Sequence, residues 1–423
     1  MDTYASMLQI GILFFVSFII IEWIAGVLMK KPVHRAIDTV SSLSSGLTNT
    51  IKDILKLTVV IVSYEWSYQH LALLELDTSW WLYVIAFSGI DFAAYWSHRW
   101  NHEFNLLWNR HIIHHSSEEF NLAAALRQSI SGIFGIFFFL YLPLAVLGVP
   151  PKVIAIMAPL HLFAQFWYHT QLIGRMGVLE HIIVTPSHHR VHHAINPEYI
   201  DKNYAAIFIF WDKWFGTFQE ELADVPPVYG VKKAVKTWNP FLINFMHLWQ
   251  LIKDAWRTQS WKDKLLIWVK PTGWRPADVA EAYPIEVITR AEDQVKYNPP
   301  ASKALILWAM IQLTVHTLMQ FHLIEMLAEA AYVHLLIYGI FLYLSIFAYT
   351  TLLDRHVLAV PFEAVKLIAG AAMLVMFEGW FTLDQLFPRG SIWVEIYLAS
   401  SMGMTLYFTF IEKNTPAQMK VAG

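Results

Sequence analysis

Five histidines fall within residues 98–115: His98, His102, His111, His114 and His115. The first two form an HxxxH pair and the last three an HxxHH group. The segment HHRVHH at 188–193 holds a second HxxHH group, His189, His192 and His193. Residues three and four apart share one face of a helix, so each group aims its imidazoles at one point in space. Local spacing of this kind builds metal sites. With 19 histidines in 423 residues, a given histidine has partners at both +3 and +4 by chance in roughly 0.2% of cases, and two such groups in one chain lower the risk that a single motif carries.

Imidazole ligands suit zinc, copper, iron and nickel. Eight of them exceed what one four- or six-coordinate ion can use, so the natural count is two metals. The chain has no cysteine, which excludes disulfides, thiolate zinc sites, iron–sulfur clusters and Cys-ligated haem. Glu103, Glu118, Glu119 and Asp212 are nearby carboxylates that could fix ring tautomers or bind a substrate or cosubstrate; otherwise each is a surface charge. No GxGxxG or P-loop stands in a credible setting, so reducing equivalents come from outside the chain.

The elements that must position these histidines are read from composition. The chain is 56% hydrophobic and 15% charged, against about 45–50% and 25% in soluble proteins, and its apolar runs are about as long as a bilayer is thick. A net charge of -3 gives no support to nucleic-acid binding. Apolar runs at 8–29, 57–74, 80–96, 130–149, 153–168, 304–324, 331–352, 357–377 and 391–411 are expected to span. Lys30, Lys31 and Arg35 follow the first run, and the positive-inside tendency puts that end, and with it both histidine clusters, in the cytoplasm. Residues 239–270 alternate apolar and basic groups at helical spacing, as expected of a helix in the headgroup layer or of a lid over the site. His316 and His322 are too far apart to share a face, so the last four spans are expected to support or face lipid.

The expected fold is an all-α integral membrane protein of about nine transmembrane helices, with a histidine-rich cytoplasmic helical cap holding a di-metal centre. The expected divisions are N-terminal transmembrane helices (1–79), a histidine-box catalytic domain (80–220), a cytoplasmic or interfacial amphipathic region (221–303) and a C-terminal four-helix transmembrane module (304–423). The membrane is a bacterial plasma membrane or the endoplasmic reticulum.

HxxxH followed by two HxxHH groups at helix ends resembles the fatty acid hydroxylase/sterol desaturase superfamily of membrane di-iron oxygenases. The longer strings HEFNLLWNRHIIHHSSEEFNLAAALRQS and TPSHHRVHHAINPEYIDKNYAAIFIFWDKWFGTF are most similar to its alkylglycerol monooxygenase branch and bacterial relatives. Detailed likeness covers about residues 85–220; over the four C-terminal spans it is architectural. Carried over by position, the family ligands fall on His98, His102, His111, His114, His115, His189, His192 and His193, and His169 is the candidate ninth. His188 and His181 are expected to support, and His161 to pack in the core.

The resemblance implies O2 activation at two non-haem irons and insertion of one oxygen into a lipid C–H bond. In the alkylglycerol branch the resulting hemiacetal collapses to an aldehyde and glycerol, and the electrons come from tetrahydrobiopterin; here the reductant is that pterin or an external electron-transfer protein. Glu103 matches a family acid implicated in the cosubstrate site. Asn203 is expected either to orient a metal-bound water or a ligand histidine, or only to cap a turn. Rivals within the superfamily are sterol, carotenoid, fatty acyl or aminolipid hydroxylases and desaturases. A zinc hydrolase would need fewer histidines and usually an HExxH, and a transporter would gather ionisable groups at the bilayer midplane.

Overall fold

The computed structural model describes residues 2–77 and 79–412. Among these the chain is helical, with isolated bridge pairs and no strand. In chain order the α-helices are α1 (Asp2–Leu28), α2 (Ala36–Ile54), α3 (Tyr64–Leu71), α4 (Trp80–Glu103), α5 (Asn105–Trp108), α6 (Ile112–His115), α7 (Leu142–Val146), α8 (Pro151–Phe163) and α9 (Pro186–His192). They continue with α10 (Phe210–Phe215), α11 (Pro240–Arg257), α12 (Trp261–Leu266), α13 (Ala277–Ala282), α14 (Lys303–Glu325), α15 (Tyr332–Leu353), α16 (Ala359–Met376), α17 (Leu383–Leu386) and α18 (Gly390–Leu406).

Five helical stretches, Gln9–Leu28, Lys303–Ala328, Tyr332–Leu353, Ala359–Met376 and Gly390–Ile411, are long and apolar enough to cross a membrane. The nine expected spans are therefore not all continuous apolar helices. Helix α4 has 24 residues, but its Trp, Tyr, Ser and Asp lower its hydropathy below that of the other five. The span expected at 153–168 is the 13-residue α8 with Pro159 inside it, and two further expected spans are broken. The β-branched run Thr58–Val62 resists helix formation, and only Tyr64–Leu71 is helical after it. Its counterpart at 130–149 contains Gly132, Gly135 and Pro143 and yields a 3₁₀ turn and the five-residue α7. The two segments pair with one another. Val59 N–H donates to the Ile133 carbonyl at 2.7 Å, Gly135 N–H to that of Val59 at 3.0 Å, and Leu73 N–H to that of Val146 at 2.9 Å.

Helix α2, for which hydropathy gives no signal, is a central strut. Ser41, Ser42, Ser44, Ser45 and Thr48 are buried along it, and small residues let backbones approach closely. Ser41 donates to the Trp238 carbonyl at 2.8 Å, and Ser45 to that of Gln128 at 3.1 Å. The largest apolar core joins α2 to α14, α15, α16 and α18 through Ile51, Leu323, Tyr338, Leu342, Met373 and Leu398. Helix α11 braces the first histidine region. The His247 ring donates from Nε2 to the Asn105 carbonyl at 2.9 Å, and Leu248 N–H to Asn109 Oδ1 at 2.8 Å.

Candidate metal centre

Helix α4 is fixed from within before it delivers its histidines. Asp91, wholly buried, accepts from His161 Nε2 at 2.7 Å, from the Ile207 and Phe208 N–H groups at 2.9 and 3.0 Å, and from Trp211 Nε1 at 2.9 Å. These contacts tie α4 to α8 and to the segment entering α10. His161 is thus a core histidine with a carboxylate partner. Two turns on, His98 Nδ1–H donates to the Tyr204 carbonyl at 2.7 Å. The strand-like turn carrying Tyr204 is held by buried Asp212, which accepts from the N–H groups of Tyr204 and Ala205 at 2.8 and 2.9 Å and from Thr217 Oγ1 at 2.7 Å.

His111, His114 and His115 sit at and within the four-residue α6, while His189 and His192 end α9 and His193 caps it. The nine histidines sort into two groups. His98, His102, His111, His115 and His192 form one, and His114, His169, His189 and His193 the other; within each group the ligand atoms lie within 4.8 Å of one another. Both groups draw on both HxxHH motifs, and His169, outside every motif, completes the second.

The donor set fits metal ions. In the first group Nε2···Nε2 distances are 2.9 Å for His98–His111, 3.1 Å for His102–His115 and 3.1 Å for His115–His192. In the second they are 3.2 Å for His114–His169, 2.8 Å for His169–His189, 3.1 Å for His114–His193 and 3.0 Å for His189–His193. Adjacent ligands at a right angle on one ion, each bound at roughly 2.1 Å, stand about 3.0 Å apart. A tetrahedral ion would spread them further, and five imidazoles exceed its coordination number. The Nδ1–H groups of His98, His114 and His192 donate to the carbonyls of Tyr204, Arg127 and Lys202 at 2.7, 3.3 and 3.0 Å. A carbonyl only accepts, so these rings carry their proton on Nδ1 and turn a lone pair inward.

Burial keeps the rings neutral. Desolvation, followed by neighbouring imidazoles, holds His111, His115, His189, His192 and His193 well below the usual histidine range. His114 is pushed down to about 3 by desolvation and then by His98, against the Arg127 carbonyl contact, which favours its charged form. Neutral imidazole is the form that binds a metal.

The other residues singled out from sequence stand apart from the ring cluster. Glu103 is partly exposed and pairs with Arg99 at 2.7 Å. Asn203 has a left-handed backbone with φ 56°; its amide donates to the carbonyls of His188 and Gln219 at 3.1 and 2.7 Å, and its oxygen accepts from Gln219 N–H at 2.9 Å. Its side chain thus clasps main chain beside α9. Glu118 accepts from Tyr297 N–H at 2.7 Å, and Glu119 pairs with Lys296 at 2.8 Å, so both tie the first histidine region to residues 296–297. His188 joins the capping box of α9 with Thr185, and the His181 carbonyl accepts from Lys213.

Sequence reasoning missed Arg127. Fully buried, it pairs with Asp38 at 2.8 Å and donates to Ser42 and Ser116 at 2.9 and 2.8 Å, while its carbonyl orients His114. Only its place after an alanine run, as a lone charge in an apolar stretch, could have flagged it.

A cavity of about 790 Å³ opens against the rings, within the usual size of ligand pockets. His98, His111, His114, His169 and His189 form one wall. Ile12, Phe15, Leu43, Leu162, Phe166 and Leu313 form an apolar arm between α1, α2, α8 and α14. The C-terminal module therefore lines the cavity as well as supporting the fold.

Residues 83–217 match the fatty acid hydroxylase family. Alkylglycerol monooxygenase of Homo sapiens is 34% identical over 385 residues, covering 90% of this chain and 85% of the relative. Its counterpart in Danio rerio is 40% identical over 265 residues, covering 62% and 58%. An ornithine lipid hydroxylase of Rhizobium tropici is 32% identical over 136 residues, 30% of this chain and 39% of that one. No solved structure matches.

Proposed function

The chain belongs to the fatty acid hydroxylase family and is an oxygen-dependent monooxygenase of the membrane, and from that premise we propose that it hydroxylates an ether lipid of the alkylglycerol class. The carbon beside the ether oxygen is the target. One atom of O2 enters that C–H bond and the other leaves as water, with two electrons and two protons from an external donor. The hemiacetal formed breaks into an aldehyde and the freed glycerol hydroxyl. The observation that carries the proposal is the apolar arm ending on a wall of histidines drawn from both groups.

Two iron ions are the proposed cofactor. His98, His102, His111, His115 and His192 would hold one, and His114, His169, His189 and His193 the other. When bound, they supply O2 activation for oxidising an unactivated C–H bond. The chain's own work is positional. The apolar arm takes the alkyl chain out of the bilayer and excludes water from the reacting carbon. The carbonyls of Tyr204, Arg127 and Lys202 hold the rings in register.

The Arg99–Glu103 pair, partly exposed at the end of α4, is the proposed docking point of the reductant, either tetrahydrobiopterin or an electron-transfer protein. Asn203 is a positioning residue that holds α9 through the His188 carbonyl. Leu242, Phe245, Trp249, Ile252 and Trp256 are exposed at helical spacing along α11, as suits a helix lying on a bilayer surface. With Lys30, Lys31 and Arg35 after α1, this supports the reading that the histidines face the cytoplasm.

The likeness to the ornithine lipid hydroxylase favours a second reading, hydroxylation of an acyl or aminolipid chain without cleavage. Purified protein loaded with iron, given O2, a reductant and an alkylglycerol, is expected to release a fatty aldehyde. Hydroxylated acyl lipid without aldehyde would select the second reading, and turnover by zinc-loaded protein without O2 would exclude both.

A further inference from the structure

Aspartate and glutamate are absent from the residues lining the cavity, although two arginines are present. Arg127 is neutralised by Asp38 at 2.8 Å. Arg110 is not: among the described residues, no carboxylate lies within ion-pair distance of it. It directly precedes His111, which lines the same cavity. Its guanidinium is held in place from three sides. Nη1 donates to the Phe134 carbonyl at 3.1 Å, the Phe137 ring lies 5.1 Å from the guanidinium carbon, and a Cβ at Gly132 would stand 3.3 Å from Nη2. Asn49, Thr50, Asn101, Gln128 and Ser129 line the cavity too, so polar side chains share its wall with the apolar ones.

A guanidinium that is partly buried and has no counter-ion carries a charge only partly met by water and one carbonyl. It suits an oxyanion, which it can bind through two parallel hydrogen bonds. We propose that Arg110 is the anion subsite of the substrate cavity, binding a phosphate or carboxylate headgroup beside the metal centre while the hydrocarbon chain fills the apolar arm. This rests on the lipid-oxidation reading and narrows it: the preferred substrate is an anionic amphiphile rather than a neutral alkylglycerol.

The test measures binding to metal-free protein in detergent, by displacement of a fluorescent alkyl-chain probe, with Arg110→Gln and Arg110→Lys beside the natural chain. The competitors are an alkylglycerol, its phosphate monoester and a fatty acid of matched length. The phosphate or the fatty acid is expected to compete at about tenfold lower concentration than the neutral ether, a difference of about 1.4 kcal/mol. Which anion does so identifies the headgroup. Arg110→Gln is expected to abolish that advantage and Arg110→Lys to keep part of it, with the neutral ether reporting that the cavity still forms. Equal competition by all three in the natural chain, or an equal loss for all three in Arg110→Gln, would overturn the subsite. Loss of the anion advantage in Arg110→Gln, in a protein that cleaves no ether when loaded, would uphold the subsite and refute the ether-lipid reaction.

Discussion

His192 and His193 are neighbours in the chain, yet their rings stand 88° apart with centroids 5.3 Å apart and enter different groups. His114 and His115 divide in the same way, at 87° and 5.5 Å. Each HxxHH motif therefore serves both groups: its paired histidines straddle the centre and hold the two halves at fixed separation. A lone His–His pair on a rigid turn cannot converge on one ion, because consecutive side chains on a helix point about 100° apart.

That division makes the metal count a direct readout. His192→Ala and His193→Ala are each expected to remove one ligand from a different group, lowering iron from about two ions per chain to about one and abolishing turnover. Membrane insertion should be little affected. Metal analysis of the two purified variants checks this, and two irons retained in either would remove that residue from the ligand set.

His169 belongs to no motif but lies 2.8 Å from His189 and 3.2 Å from His114, Nε2 to Nε2. His169→Ala should therefore be as damaging to iron content as His193→Ala. His188→Ala, which touches neither group, should retain both ions and lose about 1 kcal/mol of stability through its capping box. Equal iron in His169→Ala and the natural chain would return that residue to a structural role.

Asp91→Asn replaces a carboxylate that accepts four hydrogen bonds. An amide presents one acceptor oxygen and turns an NH2 toward donors that are then unsatisfied, a cost of about 3 kcal/mol at a fully buried site. Thermal unfolding in detergent should shift down by several degrees, although Asp91 bonds to none of the nine clustered histidines. An unchanged midpoint would mean that α4 is held by apolar packing alone.

His114 supplies a pH dependence. Its folded value of about 3 lies below the ordinary 6.5, so protons bind the unfolded chain more readily. The stability it contributes is complete above about pH 6.5 and is lost progressively as pH falls toward 3. Metal-free protein should accordingly show a lower unfolding midpoint at about pH 5 than at about pH 7.5; a midpoint that rose on acidification would contradict neutral burial of the cluster.

Leu313 on α14 and Phe15 on α1 both line the apolar arm. Leu313→Trp should shorten the space and shift preference toward shorter alkyl chains, lowering kcat/KM for long substrates about tenfold relative to short ones. A proportional loss at every chain length would show that the alkyl tail runs elsewhere.

The histidine motifs were legible in sequence because their spacing is local, but their convergence on one point was not: in each HxxHH the first and last histidines share a group while the one between, His114 or His192, enters the other. The five long apolar helices were legible for a similar reason, since length and hydropathy are properties of a segment alone. The sequence by itself thus determined that a multi-histidine centre sits among membrane-spanning helices.

Tertiary structure alone decided how those rings divide, because ring direction depends on where α4, α6 and α9 end relative to one another. It also decided that His169 joins them, that Arg127 is spent on Asp38 89 residues away, and that Arg110 has no acid partner among the described residues. The serine face of α2 and the broken segments at 57–74 and 130–149 escaped hydropathy in opposite directions. The first buries polar groups by bonding them to distant carbonyls, and the second is apolar without being helical. Hydrogen-bond partners separated by a hundred residues leave no periodic trace in either partner's neighbourhood, so only the folded chain reveals which charges and donors remain for a substrate.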